Sequence, residues 1–224
     1  QVFLNVLPAA APIPLSGTGS SPGTGALNPR YLLTLNSDPL FPGIETRNLA
    51  APTWLFGYWL GSNGPPPVSS WIGPRSQLAE GNAAGVSDSA VAYRYETRFN
   101  MNGLAPASSS LQLAWTADDG GRLKLNGAEL DNRPLASVCP SPKPNTCGGR
   151  KSVFVPASAL VAGENKLEVE VANGPSYGAR NPTGLWLEKS NGTASPKTTA
   201  DFDIKSDPDY QTVMPGGAAN YRVR

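Results

Sequence analysis

The feature that most constrains this chain is an alternation of apolar and polar side chains with a period of two, which returns in segment after segment. Tyr93, Tyr95, Thr97, Phe99 and Met101 fall on one face, and Arg94, Glu96, Arg98 and Asn100 on the other. Successive side chains of a strand point to opposite sides, so the pattern describes a strand with one buried face. The stretch LAWTADDGGRLKLNG repeats it twice. Leu111, Leu113, Trp115 and Ala117 precede Asp118, Asp119, Gly120 and Gly121, and Leu123 and Leu125 follow. These two runs read as a hairpin folded over the polar turn, and Asn126-Gly127 marks a second reversal. Further on, Leu167, Val169 and Val171 point inward with Glu168 and Glu170 outward, and Leu185 and Leu187 point inward with Trp186 outward.

Glycine and proline, 24 and 23 in number, are too many for a helical protein, yet they stand between the alternating runs rather than forming one tract. Many short strands joined by turn-rich loops predict an all-β fold. Histidine is absent. That removes Ser/His/Asp and Cys/His catalysis together with the commonest metal ligand. Eighteen basic and 17 acidic residues leave a net charge of +1 without a long run of either sign, so no footprint for nucleic acid is expected. No stretch approaches the length of a membrane helix, so membrane insertion is not expected.

The organisation reads in four parts. Residues 1–29 hold an apolar strand, Gln1 to Leu7, and a flexible Pro, Gly and Ser connection, Pro8 to Pro29, with no pattern of its own. Val2, Leu4 and Val6 on one face and Phe3 and Leu7 on the other call for cover on both sides. This is either the first strand of the chain's own sandwich or a strand donated to a neighbouring copy. Residues 30–190 form the β-sandwich domain, 191–199 a linker and 200–224 two terminal strands. Asn191-Gly192-Thr193 in that linker matches the N-glycosylation sequon, a tripeptide frequent by chance.

Cys139 and Cys147 sit in a proline-rich loop whose spacing suits neither a redox pair nor a zinc site. A local disulfide is expected, which would place the protein outside the reducing cytosol, secreted or on a cell surface. The start at Gln1 rather than methionine suits a mature exported protein.

Five segments occur in order: WIGPRS (Trp71 to Ser76), YRYETRFNMNGL (Tyr93 to Leu104), LAWTADDGGRLKLNG (Leu113 to Gly127), VPASALVAGENKLEVEVANG (Val155 to Gly174) and NPTGLWLE (Asn181 to Glu188). Together they resemble a β-sandwich module of bacterial exported proteins of the PEP-CTERM type, akin to galactose-binding-like jelly-roll domains. The likeness covers roughly residues 30 to 188. Separately, DFDIKSDPDYQTVMPGGAANYRV (Asp201 to Val223) resembles the first two strands of a bacterial immunoglobulin-like repeat. The first resemblance implies an antiparallel jelly-roll sandwich that is extracellular and non-catalytic.

A sugar site needs flat aromatic faces and groups that bond hydroxyls. Tyr177, Arg180 and Asn181 in one loop supply the second kind, and Trp59 and Trp186 are candidate platforms. Asp118 and Asp119 are either turn formers or oxygen ligands of a structural calcium, and no other cofactor is expected. The expected partners are carbohydrate or extracellular matrix, or further copies of the chain in a surface filament or layer joined by strand exchange through either end. A glycosidase using Glu96 or Asp118 with a second carboxylate has no spacing to support it.

Overall fold

The alternating segments are strands in a computed structural model, which describes residues 9–18, 26–37, 43, 45–48, 70–74, 91–118, 120–133, 150–173 and 183–197. In chain order they are β1 (Ala11–Pro12), β2 (Leu32–Asn36), β3 (Arg47–Asn48) and β4 (Ile72–Gly73). Then come β5 (Val91–Asn100), β6 (Ser110–Asp118), β7 (Gly120–Leu125) and β8 (Ala128–Arg133). The last three are β9 (Lys151–Val155), β10 (Glu164–Asn173) and β11 (Gly184–Ala194). All pairings are antiparallel. They make two sheets, one ordered β3-β4-β11-β6-β9 with β1 also on β11, the other β2-β5-β10-β7-β8. The protein is an all-β sandwich.

The predicted inward faces are the core. Tyr93, Tyr95, Phe99, Met101, Leu111, Leu113, Trp115, Leu123, Leu125, Leu167, Val169, Val171, Leu185 and Leu187 all lie in one buried cluster between the sheets. Each fully buried leucine there contributes about 1.5–3 kcal/mol relative to exposure.

The connection at Asp118 to Gly121 differs from the expected hairpin. β6 pairs with β9 and β11, and β7 with β8 and β10, so the two strands belong to opposite sheets. The chain leaves one sheet at Asp118, paired with Gly184, and enters the other at Gly120, paired with Ala172. It arches over the rim of the core instead of folding back on itself. A period of two reports which face is buried and is silent on the partner strand, so both topologies give the same pattern. The reversal at Asn126-Gly127 is the true hairpin: β7 pairs with β8, and φ is 51° at Asn126 and 84° at Gly127. Positive φ at both central residues is the turn that matches strand twist.

Two segments expected to be linkers belong to the sandwich. Within Pro8 to Pro29, β1 pairs with Thr193 and Ala194, Ile13 and Leu15 are buried in the core, and Thr18 bonds Leu187. Ala11 to Thr18 thereby runs along the edge of β11 opposite β6, and the Lys189 ammonium donates to the Ile13 carbonyl at 2.5 Å. At the other end, Asn191 to Ala194 continue β11, and the Lys197 N–H still bonds the Gly103 carbonyl at 2.7 Å. Gln1 to Leu7 and residues 200–224 lie outside the described residues.

Candidate functional site

Most residues singled out from the sequence lie outside the described part of the chain: Trp59, Tyr177, Arg180 and Asn181, Cys139 and Cys147, and Asp119. Asp118 is placed by its backbone at the end of β6. Trp186 is described, and its role is corrected. It does leave the core, alternating with Leu185 and Leu187, but it is fully buried rather than exposed. Its cross-strand neighbour Thr116 is fully buried as well, and the Arg150 guanidinium lies 5.9 Å from the indole centroid. The outer face of the sheet is covered there, so Trp186 offers no ring to a ligand.

The structure instead forms a depression of about 380 Å³ at the edge of the second sheet. β2 begins its pairing with β5 at Leu32 opposite Glu96, so the outer edge of β5 at Thr97 and Arg98 has no described strand beside it. Pro14, Ser16, Pro29 and Arg30 close the far side. Prolines suit this position because they carry no N–H to leave unpaired at a sheet edge.

Residues 28–31 are held by a local set of bonds. The Asn28 side-chain oxygen accepts from the Arg30 and Tyr31 N–H groups at 3.0 and 3.2 Å, and its amide donates to Asn48 at 2.9 Å. The Tyr31 hydroxyl donates to the Ser16 carbonyl at 2.7 Å. Burial pushes the Tyr31 phenol up, so it stays a neutral donor. Arg30 reaches the Ser16 hydroxyl at 2.6 Å, and Leu32 lies 58% exposed beside it as an apolar floor.

Charges on the adjoining face of the second sheet are set by register. Glu96 stands directly opposite Glu168, and Arg98 opposite Lys166, like against like. Diagonal and same-strand pairs relieve both: Lys166 is 3.9 Å from Glu96 across the strands and 3.1 Å from Glu168 on its own, and Arg98 is 2.8 Å from Glu96 on its own strand and pairs with Glu164 across. Glu164 and Glu96 together raise the Arg98 pKa further. Farther along, Glu170 takes Arg94 at 3.0 Å and Lys124 at 3.3 Å. Partial burial pushes the Glu170 carboxyl up, but the bonds from Lys124 and Arg94 outweigh it and leave the group below its ordinary range.

Chemically, the depression presents two guanidinium groups, a carboxylate and a hydroxyl around an apolar floor. That set can bond hydroxyls and carboxylates of a ligand. Of the carboxylates on this face, Glu170 is held ionised by Lys124 and Arg94. Among the described residues, no three Asp, Glu, His or Cys side chains come together as a metal site. No helix of the described residues is long and apolar enough to cross a membrane. Sequence reasoning missed Ser16, Arg30 and Leu32 because they come from a stretch without a long alternating run. One signal was present: Ile13 and Leu15 alternate with Pro12 and Pro14. In comparisons with known proteins, no family model and no curated sequence matches this chain.

Proposed function

We propose that the chain is a non-catalytic, exported binding module that takes a carbohydrate bearing carboxylates, such as a polymer of uronic acid units, in the depression beside β2. The observation that carries this reading is the grouping of Arg30, Arg98 and Ser16 over the exposed Leu32 in a concavity of ligand size. Guanidinium groups match carboxylates in two-point hydrogen bonds, and an apolar floor takes the C–H face of a sugar ring. The strand orders β4-β11-β6-β9 and β5-β10-β7-β8 in two antiparallel sheets support the jelly-roll reading that the resemblance implies. The test is a glycan array with acidic and neutral polysaccharides, followed by titration of Arg30→Ala. Loss of one charge-assisted bond of about 1.5–3 kcal/mol predicts at least a roughly tenfold weaker Kd. Silence across the array, or unchanged affinity in the variant, would sink the reading.

A second reading, a structural subunit of a surface filament or layer, is favoured by one feature of the same place. The edge of β5 beyond Glu96 has no described strand pairing with it, and an added strand from another copy could bond there. Mass per particle by sedimentation distinguishes the two. Long regular particles favour the subunit, and a monomer at high concentration removes it.

A further inference from the structure

We propose that Asn191 is an N-glycosylation site and that its first sugar lies across the outer face of the first sheet toward Phe154. The tripeptide Asn191-Gly192-Thr193 alone is a common pattern. What distinguishes it here is a β-bulge. Leu185 and Leu187 face the core, so in an unbroken strand Asn191 and Thr193 would face the core too. The pairing of β11 with β6 slips between Lys189 and Asn191, and the extra residue inverts the alternation. Gly192 and Ala194 are buried instead, while Asn191 is exposed and Thr193 half-buried.

The middle residue fits this geometry narrowly. A Cβ at Gly192 would come within 2.9 Å of the Lys189 side chain and 3.1 Å of the Leu111 side chain. Glycine lets the strand press onto the core while its two neighbours stay in water. The Asn191 amide bonds no described residue, so its nitrogen is open to substitution.

A second feature lies in the same row. Gln112 of β6 pairs with Asn191 on one side and with Phe154 of β9 on the other. Phe154 is 76% exposed, a large apolar ring that no described residue covers. Two strand spacings put it about 10 Å from Asn191, within reach of the first one or two sugars of an attached chain. Aromatic rings take the apolar face of a sugar ring, so the glycan would cover the phenyl group.

The modification joins the Asn191 side-chain nitrogen to the anomeric carbon of an oligosaccharide carried on a polyprenyl diphosphate. The carbon–oxygen bond to the diphosphate breaks, the diphosphate leaves, and the amide gives up one proton. The inference rests on the reading of the chain as exported, since such transfer accompanies passage across a membrane.

The test is peptide mapping by mass spectrometry of the chain isolated from the cells that make it, with its location recorded. The expected result is a peptide spanning residues 190–197 that carries a sugar mass, removed by an N-glycan amidase with conversion of Asn191 to aspartate. Asn191→Gln abolishes the mass, whereas Phe154→Ala keeps it and lowers the Tm of the glycosylated protein toward that of the deglycosylated one. An unmodified peptide from chain found outside the cell overturns the site and leaves the export reading intact; unmodified chain in the cytosol overturns both. A sugar mass that survives Asn191→Gln also overturns it.

Discussion

Thr18 and Leu187, 169 residues apart, are joined by both their main chains and one side chain. The Thr18 N–H donates to the Leu187 carbonyl at 2.8 Å, the Leu187 N–H donates to Thr18 Oγ1 at 3.0 Å, and the hydroxyl donates to the Leu187 carbonyl at 3.1 Å. Thr18 is fully buried. Thr18→Val keeps the shape but leaves the Leu187 N–H without an acceptor, a cost of about 1–3 kcal/mol. The Tm should fall by about 2–4 °C for each kcal/mol lost. A variant that melts with the parent would mean that Ala11 to Thr18 is not held on β11 in solution.

Gly121 is the second residue of β7, just after the chain has entered the second sheet. A Cβ there would overlap the Glu170 carbonyl oxygen and sit 3.4 Å from the Val171 Cα, backbone atoms that cannot swing away. Gly121→Ala should therefore destabilise by at least about 2–3 kcal/mol, read from chemical denaturation. Gly127→Ala is the contrasting variant, because a Cβ there meets open space and only its φ of 84° is unfavourable. A loss at Gly121 no greater than that at Gly127 would contradict the close approach.

Asn126 and Asn165 tie the β7–β8 turn to the loop before β10. Asn165, fully buried, accepts from the Val161 N–H at 2.9 Å and from the Asn126 amide at 2.9 Å, and donates to the Val161 and Gly163 carbonyls at 2.8 and 3.0 Å. Asn126 also accepts from the Lys166 N–H and donates to the Ala159 carbonyl, both at 2.9 Å. Asn126→Gly keeps the positive φ and removes these bonds. Combined with Asn165→Ala in a double-mutant cycle, it should show a coupling of about 0.5–3 kcal/mol. Strict additivity would show that the two amides act separately.

Glu170 carries the acid sensitivity of the second sheet. Its folded carboxyl titrates below its ordinary value, so its contribution is present above that value and is lost as the pH falls through the lower, folded one. Wild type and Glu170→Gln should therefore differ most in stability near neutrality, and the gap should close as the pH falls below the ordinary glutamate value. A gap that stays constant or widens on acidification assigns the effect to packing rather than charge.

Buried faces were legible from the period of two, down to the register in which Tyr93, Tyr95 and Phe99 point inward. Partners were not, and the arch between Asp118 and Gly120 is the case that shows why. Leu113 and Leu123 face the same core whether their strands are paired or in opposite sheets. Trp186 fails for a related reason: alternation places it on the far side of its sheet, and only tertiary structure reveals that the far side is covered. Asn191 to Ala194 were hidden by the bulge, which breaks the alternation that marks a strand. The depression itself is built from pieces distant in sequence, Ser16 and Arg30 against Arg98, and no local pattern joins them.

The pinning of Ala11 to Thr18 on β11 also sets when the sandwich can close. Thr18 is synthesised 169 residues before its partner Leu187. At synthesis rates of about 5–20 residues per second, that interval lasts roughly 10–30 s. Throughout it, Ile13 and Leu15 have no strand to lie against, and the rim of the first sheet stays unfinished. A holding chaperone that recognises short apolar segments between prolines has that interval in which to act, and the arrival of β11 ends it.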